Sequence, residues 1–287
     1  MRKSVLLVIV MLLSVFSSAY GQAEKNVVRR VYVEGFTYTP KKEKKNVGNV
    51  LGSIATTALT GKKTTQQTQY ADAVRAAIVS GLSKVRLFNI VEDDFAVGSV
   101  EEVFYVDGVI SNISTTSKTE PNSEKGKPDN QYYKSLVSVM VNLKDSHTGE
   151  VVDSHTFSIS GGDGSWVSSA ETAIDNSLKQ LTAKVASHYN GKFPLSGSII
   201  EAGESKKDKQ KSVYIDLGTT IGVYKGQQFS VYTVKTIAGK EAKVEIGRIK
   251  IETVLGDELS NCKVTKGDKD LKSALDSGET LVVVSRN

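Results

Sequence analysis

Cysteine occurs once in the 287 residues, at Cys262, so no intrachain disulfide can form and the fold must rest on burial alone. An excess of one charge is nearly as scarce. The formal net charge of +5 falls to +3 once Arg2 and Lys3 leave with a leader, with 35 Lys and Arg then set against 32 Asp and Glu. So thin an excess makes no cationic surface and indicates no nucleic-acid partner. After residue 21 no apolar run approaches the about 20 residues that a membrane-spanning helix needs. No Gly-x-Ser-x-Gly elbow, His-Glu-x-x-His pair or Gly-x-x-x-x-Gly-Lys-Ser/Thr phosphate loop is present. With those signatures missing, the reading expects no enzyme, no metal and no cofactor.

What is present starts with Arg2 and Lys3 ahead of an apolar run from Val5 to Phe16, followed by Ala19-Tyr20-Gly21 before a cut ahead of Gln22. That is the pattern of a secretory signal over residues 1–21. The expectation is an exported, soluble chain, periplasmic or otherwise held within the outer membrane. No cysteine borders the cut, so the chain is expected not to be a lipoprotein. Cys262, between Leu259 and Val264 in a strand-like stretch, is expected to be a buried core thiol.

Hydrophobic periodicity then gives an order of elements. Asn26 to Phe36 reads as a strand ending at Gly35, Tyr70 to Leu82 as a helix, and Val85 to Val91 as a strand. Phe104 to Ile113 and Tyr132 to Leu143 read as strands separated by a mobile polar loop, 114–131. Leu143 to Ile159 reads as a hairpin turning at Thr148-Gly149. A long helix follows, with Ser168 and Glu171 in a capping box and a stripe of Val167, Ala170, Ile174, Leu178, Leu181, Val185 and Tyr189, ended by Gly191 and Pro194. Beyond Pro194 the pattern turns to six short β runs divided by Gly and Lys turns, with Glu204 to Lys211 as a solvated turn. The expected fold is α/β, a sheet with helices packed on it over residues 23–192, followed by a small all-β barrel over 194–287.

Two constellations invite a chemical reading. Asp145-Ser146-His147-Thr148 recurs as Asp153-Ser154-His155-Thr156, which resembles a pair of metal-binding Asp-x-His units. A two-residue turn at Thr148-Gly149 would pair His155 with Asn142 and leave it roughly 17 Å along the strand from His147, too far for one ion. His188 falls on the last turn of the long helix, where a cap or half-buried role is expected. Gly161-Gly162-Asp163-Gly164-Ser165 lacks the lysine of a phosphate loop and reads as a strand-to-helix connection. Glycines 218, 222 and 226 suit positive φ in barrel turns. The insertion 41–69 places Val47, Val50, Leu51 and Ile54 on one helical face with lysines at both ends. A docking element and a disordered loop fit it equally. If partners dock, Val47, Val50, Leu51 and Ile54 and the segment around Tyr132 and Tyr133 are the expected contacts.

With these residues in view, the chain resembles the curli assembly and transport component (CsgG) superfamily, a group that includes outer-membrane penicillin-binding-protein activators and the flagellar assembly protein T. The resemblance rests on Val31-Tyr32-Val33-Glu34-Gly35-Phe36, the helix to Leu82, Arg86-Leu87-Phe88-Asn89-Ile90-Val91, Val106-Asp107-Gly108-Val109-Ile110, and Asp145 through Thr148-Gly149-Glu150-Val151. In the C-terminal part, Ile215 to Gly226, Phe229, Val231 and Glu245-Ile246-Gly247-Arg248-Ile249-Lys250 resemble the barrel of the flagellar protein. Curli-type channel subunits carry a lipidated cysteine and two membrane-crossing hairpins. This sequence lacks that cysteine and shows no pair of ten-residue alternating strands in 41–69 or 114–131. The resemblance implies a non-enzymatic adaptor or assembly factor for a secretion, surface-fibre or cell-envelope system, acting through protein contacts. Its partners would be other cell-envelope proteins, with homo-oligomerisation and peripheral membrane contact as further expectations and no nucleic acid. The alternative is a subunit of an oligomeric curli-type secretion channel; a secreted hydrolase with dispersed carboxylates is the third reading.

Overall fold

The computed structural model describes residues 26–39, 65–91, 103–160, 166–237 and 239–286. The signal segment 1–21, the insertion positions Val47, Val50, Leu51 and Ile54, and the glycine-rich stretch 161–165 lie outside the described residues. Among the described residues the chain is mostly β-strand, with three α-helices and a closed six-stranded barrel. It divides into two compact units, Val28–Lys192 and a second that contains Phe193–Asn287.

In the first unit, β1 (Arg29–Tyr38) leads to α1 (Thr65–Leu82) and β2 (Phe88–Val91), and β2 returns parallel to β1. The strands β3 (Val103–Glu120), β4 (Asn130–Asp145) and β5 (Val151–Ser160) complete a sheet in the order β2-β1-β3-β4-β5, and α2 (Ala170–Lys192) follows. Strand β1 does not stop at Gly35. A bulge between Val33 and Phe36 takes up the irregularity and pairing continues to Tyr38 opposite Ile110. Alternate side chains of the central strands are fully buried: Val31, Val106, Ile110, Val137, Val139, Val141 and Leu143. They meet Val74, Ile78 and Leu82 of α1 and Leu181, Val185 and Tyr189 of α2, so this period-two, period-three-to-four match is the core.

Helix α2 begins one residue later than the capping-box reading. Ser169, not Ser168, caps it, its Oγ accepting the Thr172 N–H at 3.1 Å. Its buried stripe also drifts, with Ser177 taking the inward place expected of Leu178. Ser177 is accommodated because its Oγ lies 2.7 Å from that of Ser135, which donates to the Ala173 carbonyl at 2.6 Å. The two helices cross at Gly81, where a Cβ would stand 2.8 Å from the Thr182 carbonyl oxygen and from Val185.

The expected loop 114–131 is largely strand. Arms β3 and β4 stay paired from Phe104↔Asp145 out to Glu120↔Asn130, leaving only Pro121 to Asp129 as the connection. Threonine-rich, polar arms hide a strand from any test of hydrophobic alternation, and cross-strand pairing decides the outcome.

In the second unit, β6 (Ser196–Ala202) is followed by a two-stranded ribbon, β7 (Ser205–Lys206) and β8 (Lys209–Gln210), in place of the expected plain turn. Strand β9 (Ser212–Ile215), β10 (Gln228–Ile237), β11 (Lys240–Val254), β12 (Ser260–Lys266), α3 (Asp268–Asp276) and β13 (Leu281–Ser285) follow, and the barrel closes in the order β10-β11-β12-β9-β6-β13. Phe229, Val231, Ile215, Ile249, Val213, Val283 and Cys262 fill it, all at 0% exposure. Gly222 and Gly226 adopt φ of +69° and +95°, while Gly218 is extended and serves a close approach instead, a Cβ there falling 2.3 Å from the Asp257 backbone.

Candidate interaction surface

Strand β4 alternates strictly: Val137, Val139, Val141 and Leu143 point to the helices, so Tyr132, Lys134, Leu136, Ser138, Met140, Asn142 and Lys144 share the opposite face. On that face Leu136 is 37% and Met140 36% exposed, in the middle of a sheet. Their cross-strand neighbours are Val109 and Thr156 for Met140, and Ser114 and Ser160 for Leu136. Both helices lie on the other side, so among the described residues this face of the sheet stays open.

Each end of the open face carries a polar cluster. At one end Asn142 Nδ2 donates to Asp107 Oδ1 at 2.7 Å, Lys144 pairs with Asp107, and Ser154 Oγ donates to Asn142 Oδ1 at 2.7 Å. Burial opposes ionisation of Asp107, but the Lys144 and Asn142 hydrogen bonds outweigh it and hold the carboxyl below its ordinary range. At the other end, on the outer part of the β3–β4 hairpin, the ammonium groups of Lys118 and Lys134 each lie 4.9 Å from the centroid of Trp166. The Lys118 ammonium is also 5.6 Å from the Tyr132 ring. A shallow depression lined by Val28, Arg30, Asn89 and Val91 borders the β1–β2 edge.

Tyr132 and Tyr133 therefore part company. Tyr132 sits on the open face opposite Lys118, whereas Tyr133 faces the other side and exchanges backbone hydrogen bonds with Val167 at 2.7 and 3.0 Å. The remaining docking candidates, Val47, Val50, Leu51 and Ile54, fall outside the described residues. Sequence reasoning missed Lys118, Lys134 and Trp166, which are far apart in the chain and meet only because the hairpin arms run to Glu120.

The two Asp-Ser-His-Thr copies do different things. In the first, Asp145 Oδ1 accepts the backbone N–H groups of His147 and Thr148 at 2.8 and 2.9 Å, an Asx turn. These bonds, the Thr148 one foremost, hold its carboxyl below the ordinary range. In the second copy the pairing is shifted from the expected one: a bulge between Leu143 and Lys144 sets His155 opposite Val141, not Asn142. One residue of slip moves His155 to the helix side. There its ring stacks on His188 at 4.1 Å, and His188 Nε2 lies 2.8 Å from Asp153 Oδ2 while Lys192 Nζ holds Oδ1 at 2.9 Å. His155, His188 and Asp153 thus converge, a grouping the sequence reading did not consider, while His147 stays apart in the turn of the first copy. Among the described residues, however, no group of three or more His, Cys, Asp or Glu side chains is arranged to hold a metal ion.

No protein-family model and no curated protein matches the chain. Solved structures do resemble it. The PelC dodecamer from Paraburkholderia phytofirmans is 14% identical, with a TM-score of 0.31, over 58% of this chain and 92% of that one. A putative neuraminyllactose-binding hemagglutinin homolog from Helicobacter pylori is 13% identical, with a TM-score of 0.32, over 61% and 89%. A minor lipoprotein from Acinetobacter baumannii is 9% identical, with a TM-score of 0.26, over 56% and 95%. The expectation of a periplasmic chain that is not a lipoprotein is corrected by this set, which includes the minor lipoprotein and lipoprotein GNA1162 from Neisseria meningitidis. The statement that stands is the coarser one, a likeness to proteins of the bacterial cell envelope.

Proposed function

We propose that the protein is a non-enzymatic adaptor or assembly factor of the bacterial cell envelope, serving a secretion, surface-fibre or envelope system through contacts on the open face of the five-stranded sheet. The observation that carries this reading is the exposure of Leu136 and Met140 at the centre of a strand whose alternate residues, Val137, Val139, Val141 and Leu143, are fully buried. Apolar side chains on an uncovered sheet face lose water when a second surface covers them, at about 25 cal/mol for each Å² removed. The resemblance to the CsgG-like superfamily points to the same class of work, and other envelope proteins or further copies of the chain are its partners.

The second reading, a subunit of a curli-type secretion channel, would draw on the long β3–β4 hairpin. A membrane-crossing hairpin needs an apolar outward face. Here the outer arms carry Lys118, Thr116, Ser114 and Lys134 on one face and Ser117, Thr115, Tyr133 and Ser135 on the other, which favours the adaptor.

Substituting Leu136→Lys and Met140→Lys together tests the proposal, since both positions already meet solvent and the fold tolerates lysine there. The expected result is loss of the envelope partners that crosslink to the native protein in intact cells, with an unchanged thermal midpoint. Undiminished partner capture by the double variant would refute it.

A further inference from the structure

Trp166 holds two ammonium groups at equal distance, 4.9 Å for Lys118 and 4.9 Å for Lys134. The indole face attracts each cation, more strongly than any other aromatic ring, but two like charges gathered on one ring repel one another. Lys118 is offset by its ion pair with Glu120. For Lys134 no carboxylate lies within ion-pair distance among the described residues. Among the described residues the cluster therefore has one positive charge more than it neutralises, held in place by Trp166 and by β4.

Along β4 the next residues on the same face are Leu136 and Met140, exposed and apolar, with Ser138 between them. Two strand residues advance about 6.6–6.8 Å, the same step by which an extended polypeptide presents successive side chains on one side. A cation followed by apolar side chains at strand spacing is complementary to an acidic residue followed by apolar ones. From this charge pattern and spacing we infer that the hairpin end of the open face, Lys118, Tyr132, Lys134 and Trp166, is a binding site for an acidic polypeptide segment of a partner protein. The inference rests on the proposed function and names the chemistry of its partner.

Trp166 is the single tryptophan of the chain, so its fluorescence reports on this cluster alone. The test titrates the purified protein with poly-L-glutamate. A saturable change in Trp166 emission is expected, weakening as salt is raised. Lys134→Gln and Lys118→Gln should each weaken binding about fivefold, and the pair about twentyfold. Lys125→Gln, exposed in the connection between the arms, should leave it unchanged. No saturable change, or an equal loss in all three variants, would overturn the inference. Parallel titrations use vesicles containing phosphatidylglycerol and soluble polygalacturonate. A tighter response to either than to poly-L-glutamate also overturns it, since the occupant would then be a lipid surface or an acidic glycan. The two proposals fail separately. Loss of the glutamate response with partner capture intact removes this inference alone, whereas capture that ignores Leu136→Lys and Met140→Lys removes the proposed function.

Discussion

Asp153 is 11% exposed and receives both His188 and Lys192, while His155 stacks on His188 from the neighbouring position on the same strand. Burial works against the Asp153 carboxylate, but the Lys192 and His188 hydrogen bonds outweigh it and keep the group below its ordinary 3.8. Partial desolvation, and then the charge of His188, push His155 below its ordinary 6.5, against the pull of Asp153. Both signs run the same way. The unfolded chain binds a proton at His155 more readily, so that contribution is complete above pH 6.5 and fades as pH falls below it. The Asp153 contribution is complete above pH 3.8 and fades as pH falls through the lowered value. His155→Gln should therefore flatten the stability profile just below pH 6.5 and leave the steeper carboxylate loss in place, as read from urea midpoints against pH. Because His155 is solvent-exposed, the difference should stay within about 1 kcal/mol. A profile identical to the native one would exclude the histidine stack as its source. Cys262, by contrast, was legible from its strand context: it is fully buried, and burial pushes its thiol up to about 12. The histidine cluster was not legible, because a bulge at Leu143 shifts the register and no pattern in the sequence marks it.

At the scale of elements, the α1–α2 crossing depends on Gly81. A side chain there meets backbone at Thr182 and the Val185 side chain, neither of which is the free end of a flexible group. Gly81→Val should cost roughly 1–3 kcal/mol by forcing the helices apart, seen as a lower denaturant midpoint with an unchanged slope. Native-like stability would show that the helices slide to absorb the isopropyl group. Strands with buried alternate residues, such as Tyr132 to Leu143 and the six barrel runs, were legible because burial imposes the period. Three elements escaped. The outer hairpin arms are polar on both faces, the β7–β8 ribbon is two residues wide, and α3 buries only Leu271 and Ala274 among charged neighbours. A stripe of two apolar residues is too narrow to announce a helix.

For the whole molecule, helices cover one side of the five-stranded sheet, and among the described residues its opposite side is open, with charged ends and an apolar middle. The proposed function by association rests on that division, which also explains why the sequence conveyed so little of the site. Inward residues repeat with the period of their element, whereas Lys118, Lys134 and Trp166 are joined only by tertiary pairing. The most direct measurement places a photo-crosslinking amino acid at position 140, on the open face, or at position 184, on the exposed side of α2, in otherwise native protein in intact cells. The account predicts discrete crosslinked species, to an envelope protein or to a second copy, from position 140 and none from position 184. No species from 140, or the same species from both positions, would contradict it.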